Sequence, residues 1–213
     1  MNIKLHILNT NGKLTGVEKI IQDSFDQAIP TIIQAIPVDN VDVVCYESII
    51  RAIPHVGFGG YSLTSNIVMI TVNSQFEGLS ESLQQNLKRT LAHEFYHCLR
   101  HYAHDTKQTL LSALINEGLA DHFALEITQL PTEKWDMALT PGQSKGLISR
   151  ASKEFNNHNY NHTAWFFGSK ELNIPHWTGY SLGFAMVGEY LKKHPESKPS
   201  NLYQIPAENF LLD

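Results

Sequence analysis

The sequence predicts an α+β fold, and the spacing of its apolar residues indicates this in two ways. In the first third, short β-branched runs alternate with one stretch of helical spacing, which predicts a small mixed sheet with one helix. From about Ser80 onwards apolar residues recur every three or four positions, which predicts a mainly helical remainder. We therefore expect a single domain over residues 1–213, with an N-terminal lobe at about 1–104, a helical C-terminal lobe at about 105–213 and a cleft between them.

The first third should contain three strands and one helix. The predicted strands are residues 3–8, 41–46 and 66–72. The third of these could form the edge of the sheet. Pro30 should kink or end the helix that precedes the second strand, because proline removes a backbone donor. Three glycines should loosen the chain before the third strand, namely Gly57, Gly59 and Gly60.

Longer helices are predicted in the rest of the chain. The first should begin near Ser80, which can act as its N-cap, and end near Ala103. A second should cover about 109–127, and an apolar helix should cover 181–191. Between them, residues 156–162 form a polar stretch rich in His and Asn that predicts a loop.

Charge and composition narrow the class of partner. The formal net charge of -5 gives no basic field, which argues against nucleic acid or an anionic membrane surface. No apolar run reaches the length of about 18 residues that a membrane helix needs, and no signal peptide is visible. Cys45 and Cys98 are expected to be two buried thiols rather than a disulfide. We expect a soluble, cytoplasmic protein, with secretion by another route left open.

The first predicted long helix contains the pattern H-E-x-x-H, from His93 through Glu94 to His97. Four residues advance a helix by about 400° and about 6 Å, so both imidazoles project from one face toward a single Zn²⁺. Glu94 is turned by about 100° from His93 and can reach a water on the metal as general base. The alternative is a solvated helix face without metal, but the apolar surroundings make two His and a Glu costly without a partner.

A catalytic zinc usually takes three protein ligands, so a third ligand is required. A metzincin would place Gly and His where this chain has Arg100 and Ala103, which excludes that class. His101 lies about 12 Å along the helix from His93 and cannot share the ion with both motif histidines. His101 and His104 are therefore expected at the surface.

Glu117 on the following helix is the predicted third ligand. The 20 positions that separate it from His97 allow the chain to turn and return antiparallel. Asp121, one turn later, can accept the free ring N–H of a zinc-bound histidine. Gly118 is unfavourable within a helix by about 1 kcal/mol and predicts a close approach of the two helices beside the metal. The alternative is that both carboxylates are helix charges facing solvent.

The combination of H-E-x-x-H with a later E-x-x-x-D resembles the gluzincins, the thermolysin-like zinc peptidases. The resemblance implies a zincin-like fold with its active site in the cleft, and zinc ligation by His93, His97 and Glu117. It also implies that Glu94 is the base and that Asp121 orients a ligand histidine. By the same resemblance Asn116, which precedes the third ligand, supports that ligand.

The second half is also similar to a bacterial family of predicted zinc-dependent proteases that is classed as a domain of unknown function. Four segments carry this resemblance, namely His93 to His97, Glu117 to Ala120, Trp165 to Gly168 and Gly179 to Gly183. It runs from about Ser80 to the end of the chain. It implies a zinc-dependent protease and leaves the substrate open.

These features predict a zinc metallopeptidase whose partner is a peptide or protein substrate. Glu94 would pass the captured proton to the leaving amine, and a further donor would stabilise the oxyanion. Tyr180 and His176 are the predicted donors because they flank Gly179, although Tyr180 could equally be a core anchor. The loop residues His158 and His162 are weaker candidates.

Three other functions stay open. The same site could hydrolyse an amide that is not a peptide. The chain could instead be a non-enzymatic binding protein on a gluzincin scaffold, although Glu94 argues against this because a binding protein needs no base. Lastly, the chain could bind no metal at all.

Overall fold

The structure is a computed structural model that describes residues 2–103 and 108–211. The chain divides into two compact units after Ala103. The first unit contains a four-stranded sheet and two helices, whereas the described part of the second is built mainly of helices. The predicted α+β class is therefore confirmed. That both units make one domain stays a prediction.

The sheet of the first unit is mixed. Its strands are β1 (Ile3–Leu8), β2 (Val41–Glu47), β3 (Phe58–Thr64) and β4 (Ile67–Val72). Their order is β1-β2-β4-β3, in which β3 runs antiparallel to β4 and the other pairs are parallel. The register pairs Val43 with Val68 and Cys45 with Ile70, so these four buried side chains share one face of the sheet.

The edge strand on the β4 side of the sheet is not the strand that the sequence predicted. The predicted third strand, β4, lies between β2 and β3, so the expectation that it forms the edge is wrong. The edge is β3, which includes Gly59 and Gly60 in a stretch that was predicted to be loose. Close packing explains both glycines, because a Cβ at Gly60 would come within 2.7 Å of Thr90 and 2.8 Å of Glu94, and a Cβ at Gly59 within 3.1 Å of the Arg51 carbonyl.

Two helices complete the first unit, α1 (Glu18–Ala35) and α2 (Leu79–Ala103). They pack against each other, and α2 also packs against β3 and β4. Pro30 lies inside α1 and does not end it, because the helix buries Phe25, Ala28 and Ile32 on both sides of the proline. Helix α2 is described as far as Ala103, so its predicted end near that residue stays a prediction. It begins one residue before Ser80, which is therefore not its N-cap.

The second unit contains four α-helices among its described residues. They are α3 (Leu110–Thr128), α4 (Pro141–Ala151), α5 (His162–Phe167) and α6 (Thr178–Lys193). Short 3-10 turns lie at Ser152–Glu154, Pro199–Asn201 and Ala207–Phe210. Helix α3 begins where the sequence predicts, because the Thr109 side chain accepts a hydrogen bond from the Ser112 backbone N–H. Helix α6 extends the predicted 181–191 helix at both ends.

Helices α3 and α6 make the closest packing of this unit through two glycines. A Cβ at Gly118 would collide with the Gly183 carbonyl, and a Cβ at Gly183 would collide with the Leu114 carbonyl. The close approach that the structure shows at Gly118 is to α6, and the predicted approach to the motif helix stays a prediction. Glycine is required on both helices because the two backbones meet without space for a side chain.

Two general predictions concern thiols and membranes. Cys45 and Cys98 are free and buried, as predicted, and burial raises the pKa of each thiol to about 12. Both thiols therefore stay protonated at neutral pH. Within the described ranges no helix has the length and apolarity that crossing a membrane requires.

Candidate metal centre

The two histidines of the motif lie together on helix α2. Their Nε2 atoms are 2.9 Å apart, and the ring centroids are 4.6 Å apart with the planes nearly perpendicular. This geometry follows from the four-residue spacing, which places both side chains on one face of a regular helix. Both residues are half-buried.

Glu117 of α3 joins this pair. One ligand atom from each of His93, His97 and Glu117 lies within 4.8 Å of the other two. Among the residues 2–103 and 108–211, these three form the group of His, Cys, Asp and Glu side chains that could hold a metal ion. All three are half-buried. Three predicted ligands, two from one helix and one from another, are thus adjacent in the fold.

The donor set fits zinc. Two imidazole nitrogens and one carboxylate oxygen are the ligands of many catalytic zinc sites, which keep a fourth position for water. Two nitrogens at the usual Zn–N distance and a tetrahedral angle would be about 3.4 Å apart. The observed 2.9 Å between the Nε2 atoms of His93 and His97 is within a small side-chain rotation of that value. No residue outside the three is needed to complete the protein ligands.

Glu94 lies beside this group without belonging to it. Its side chain is only 5% exposed and contacts the edge strand, where a Cβ at Gly60 would be 3.0 Å from its Oε1 atom. The Glu94 and Cys98 side chains are one helical turn apart. Burial raises the pKa of the Cys98 thiol, and the nearby Glu94 carboxylate raises this pKa further. Glu94 is therefore enclosed between α2 and β3 and has little freedom to move.

Asp121 and Asn116 lie on α3, on either side of Glu117. Asp121 is 5% exposed, and Asn116 is half-buried. The pKa of the neighbouring His122 is lowered by burial, an effect that its bond to the Phe184 carbonyl and the negative charge of Asp121 oppose. The burial of Asp121 disagrees with the alternative of a helix charge facing solvent. The predicted roles of Asp121 and Asn116 beside the ligands stay predictions.

Two histidines that follow the motif in the sequence, His101 and His104, were predicted to lie at the surface. His101 is exposed and is not a member of the three-residue group. Burial of part of its ring and the nearby His97 both lower its pKa. His104, the other histidine predicted at the surface, lies outside the described residues.

The two predicted oxyanion donors lie on the segment that leads into α6. His176 is exposed, and its Nδ1 donates to the Phe167 carbonyl at 2.7 Å. Tyr180 is half-buried, with its ring 5.1 Å from that of Phe166 and 6.5 Å from that of Trp135. Tyr180 therefore makes the contacts of an aromatic anchor. A donor role for either residue stays a prediction.

The charge of Glu117 acts on a pair of residues that the sequence analysis ranked low, His162, or missed, Tyr160. Tyr160 and His162 are joined by a hydrogen bond of 3.1 Å between the phenol oxygen and Nδ1. Burial raises the pKa of Tyr160 to about 12, and the Glu117 carboxylate adds to the rise. The ring of His162 has its pKa lowered by partial burial, and the same carboxylate opposes that effect. Glu117 thus acts electrostatically on both members of the Tyr160–His162 pair.

The sequence contains a signal for the start of the helix next to this pair, but none for the influence of Glu117 on the pair. Asn161, between the two residues, is a recognisable N-cap and accepts a hydrogen bond from the Ala164 backbone N–H at 3.0 Å. That cap predicts the start of α5. The proximity of α5 to Glu117 depends on tertiary packing and has no local signature.

The protein has an α+β fold in which two histidines and a glutamate lie close enough to hold one metal ion. These features are typical of metal-dependent enzymes. The model of the family described as "Predicted Zn-dependent protease (DUF2268)" matches residues 21–212, which is most of the chain, and the chain belongs to this family. The match begins well before Ser80, so it is longer than the resemblance predicted from the motifs. No curated protein and no solved structure gives a significant match.

Proposed function

We propose that this protein is a zinc-dependent peptidase of the gluzincin type, with His93, His97 and Glu117 as zinc ligands and Glu94 as the general base. The observation that carries the proposal is the proximity of the three ligand atoms, each within 4.8 Å of the others. Membership of a family described as a predicted zinc-dependent protease supports it.

Zinc in such a site polarises the substrate carbonyl and lowers the pKa of a bound water toward neutrality. The residues of the chain supply the remaining steps. Glu94 accepts the proton of the attacking water and delivers it to the departing amine, so that one carboxylate serves both as base and as acid. Its enclosure between α2 and β3 favours this role, because a fixed carboxylate needs little reorganisation during the reaction.

Asp121 and Asn116 act on the ligands in this proposal. Zinc-bound histidines usually donate their second ring N–H to a carboxylate, which fixes the tautomer and the ring orientation. Asp121 is a buried carboxylate one helical turn from Glu117 and is suited to this role. Asn116 is suited to hold Glu117. Tyr180 and His176 stay predictions for the oxyanion donor.

A peptide is the favoured substrate because of the edge strand. Strand β3 is an edge strand of the sheet, and the Ile53 backbone N–H already donates to the Phe58 carbonyl at its start, so an extended chain would pair with β3 beyond Phe58. Gly60 of this strand contacts Glu94, so a peptide paired with β3 would pass close to the general base. This feature argues against the alternative of a non-peptide amide, which would not use a strand edge.

The proposal is tested by measuring zinc content and peptide hydrolysis for the native protein beside Glu94→Gln. We expect the variant to keep its zinc and to lose turnover by about 10²–10⁴-fold, the usual contribution of a general base. A library of mixed peptides serves as substrate, and non-peptide amides are assayed in parallel.

Glu81→Gln is the matched control for this experiment. It makes the same change on the same helix, at an exposed position in the first turn. Equal turnover of Glu94→Gln and the native protein would remove Glu94 from the reaction. A native protein without zinc would contradict the whole proposal, and hydrolysis of the non-peptide amides alone would favour that alternative.

A further inference from the structure

We propose that Arg51, together with the hydroxyls of Tyr46 and Tyr61, forms a subsite that binds an acidic side chain of a peptide paired with strand β3. The inference deepens the proposed peptidase function, on which the role of that peptide as a substrate rests. Binding of the acidic group itself can be measured without any hydrolysis. The three side chains belong to the first unit and lie on the face of its sheet that is turned away from helix α2.

Two half-buried tyrosines mark that face. The hydroxyl oxygens of Tyr46 on β2 and Tyr61 on β3 are 3.3 Å apart, so both side chains project from the same side of the sheet. Successive residues of a strand point to opposite faces. Gly60 therefore faces the other side, where a Cβ would come within 2.8 Å of the Glu94 side chain. Strand β3 thus lies between the proposed general base and the two tyrosines.

Arg51 covers the tyrosine face and is held there through its backbone. Its carbonyl accepts a hydrogen bond of 3.0 Å from the Thr71 hydroxyl, and a Cβ at Gly59 would come within 3.1 Å of the same oxygen. The guanidinium carbon is 5.3 Å from the centre of the Tyr61 ring. Among residues 2–103 and 108–211 no carboxylate forms an ion pair with this exposed guanidinium, so its charge is available to a ligand.

The two phenols add a hydroxyl donor beside that charge. When one hydroxyl donates to the other, the proton of the accepting hydroxyl can point toward a ligand. The pKa of Tyr46 is raised, first by its hydrogen bond with Tyr61 and then by burial, and the positive charge of Arg51 opposes this rise. Tyr46 therefore keeps its proton at neutral pH. A guanidinium and a phenol proton together are donors that a carboxylate or a phosphate group accepts.

A peptide paired with β3 would bring its side chains within reach of these donors. Tyr61 lies beyond the start of β3, where the Ile53 backbone already bonds to the strand. Directly opposite residues of an antiparallel pair have Cβ atoms about 4.5–5.5 Å apart, so a side chain opposite Tyr61 would lie beside the ring that Arg51 covers. Every second peptide side chain would face Arg51, and those between would face Glu94. Acidic side chains are therefore favoured at alternate positions and disfavoured at the others.

The first test measures the affinity of fluorescent peptides for the zinc-loaded Glu94→Gln variant, which should bind peptides without cleaving them. Peptides that carry glutamate, glutamine or phosphoserine at one central position are compared. We expect Arg51→Gln, added to this variant, to weaken the glutamate peptide by about 5–50-fold, between the value of an exposed ion pair and that of a hydrogen bond to a charged group. The glutamine peptide should bind both proteins equally.

The outcomes of this test separate the possible ligands. Equal affinity of the glutamate peptide for both proteins would overturn the subsite, unless the phosphoserine peptide alone loses affinity, which would assign the subsite to phosphate. Arg51→Glu should reverse the preference, so that a peptide with lysine at the central position binds more tightly than the glutamate peptide. An unreversed preference would contradict a direct contact with Arg51.

Lys4→Gln is the matched control. Lys4 is exposed on β1, at the opposite edge of the sheet, and the register places it on the same face as Tyr46. The change removes the same charge, so we expect unchanged affinity for the glutamate peptide. A loss equal to that of Arg51→Gln would show only long-range attraction and would overturn the subsite.

The hydroxyls are tested by a double variant, Tyr46→Phe with Tyr61→Phe, which keeps both rings. We expect the glutamate peptide to bind about 2–10-fold more weakly, the value of one hydrogen bond, while the glutamine peptide is unaffected. Unchanged affinity of the glutamate peptide would remove the hydroxyls from the subsite.

Hydrolysis places the subsite relative to the cleaved bond. Glutamate is moved one position at a time through a peptide, and mass spectrometry of the products identifies the cleaved bond. We expect glutamate to raise kcat/KM at alternate positions, mainly through KM because Arg51 does not touch the reacting atoms. Arg51→Gln should abolish these gains. A uniform effect at all positions would contradict the pairing with β3.

The failure of this inference differs from the failure of the proposed function. A native protein that binds glutamate peptides through Arg51 but cleaves no peptide would overturn the peptidase and leave the subsite in place. Zinc-dependent hydrolysis with the same preference for glutamate over glutamine in the native protein and Arg51→Gln would overturn the subsite alone.

Discussion

Helix α2 carries His93, Glu94 and His97 within five consecutive positions, whereas Glu117, Tyr160 and His162 come from separate parts of the chain. The geometry of the first set follows from helical periodicity, since one turn places two imidazoles side by side. The geometry of the second set depends on how α3, α5 and α6 pack. A short motif thus identifies half of a site, and the other half requires the fold.

This comparison predicts that the second unit is the more sensitive to changes in packing. Gly183→Ala would place a methyl group against the Leu114 carbonyl and should destabilise the protein by about 1–3 kcal/mol or more, because backbone must move. Thermal or urea unfolding measures the effect. Gly146→Ala is the control, because Gly146 lies in α4 with open space where the methyl group would go, and it should stabilise by about 0.4–1 kcal/mol.

A similar change in the first unit should affect catalysis more than folding. Gly60→Ala would place a methyl group against the side chains of Thr90 and Glu94, which would have to shift although the backbone need not. We expect turnover to fall by up to about 10²-fold, because a displacement near 1 Å at a reacting group has that effect, while zinc content stays unchanged. Steady-state kinetics and metal analysis check this, and unaltered turnover would show that β3 does not position Glu94.

The predictions from the sequence were most accurate where a local pattern of a few residues decides the structure. The H-E-x-x-H motif lies within helix α2 and the start of α3 after Thr109 agrees with the prediction, and those helices carry the four central candidate residues. Spacing and capping act within a few residues, so a single sequence reveals them.

The sequence-based predictions failed where contacts between residues far apart in the sequence decide the structure. Strand β3 was missed because Gly59 and Gly60 disfavour a strand locally, and only their packing against the 51–53 segment and α2 explains them. The close packing of Gly118 against α6 was not predicted, since spacing cannot tell which backbone will approach a glycine. Nothing in the 156–162 stretch indicates that Tyr160 and His162 come under the influence of Glu117.

In the proposed site Glu117 completes the zinc ligands together with His93 and His97. This is tested by the zinc affinity of Glu117→Gln, determined by competition with a chelator, beside Glu189→Gln as an exposed control on α6. We expect Glu117→Gln to lose more than about 100-fold in affinity, since even the hydrogen-bonding partners of zinc ligands contribute about 10–100-fold. The control should bind zinc like the native protein. Native affinity in a folded Glu117→Gln variant would show that Glu117 is not a zinc ligand.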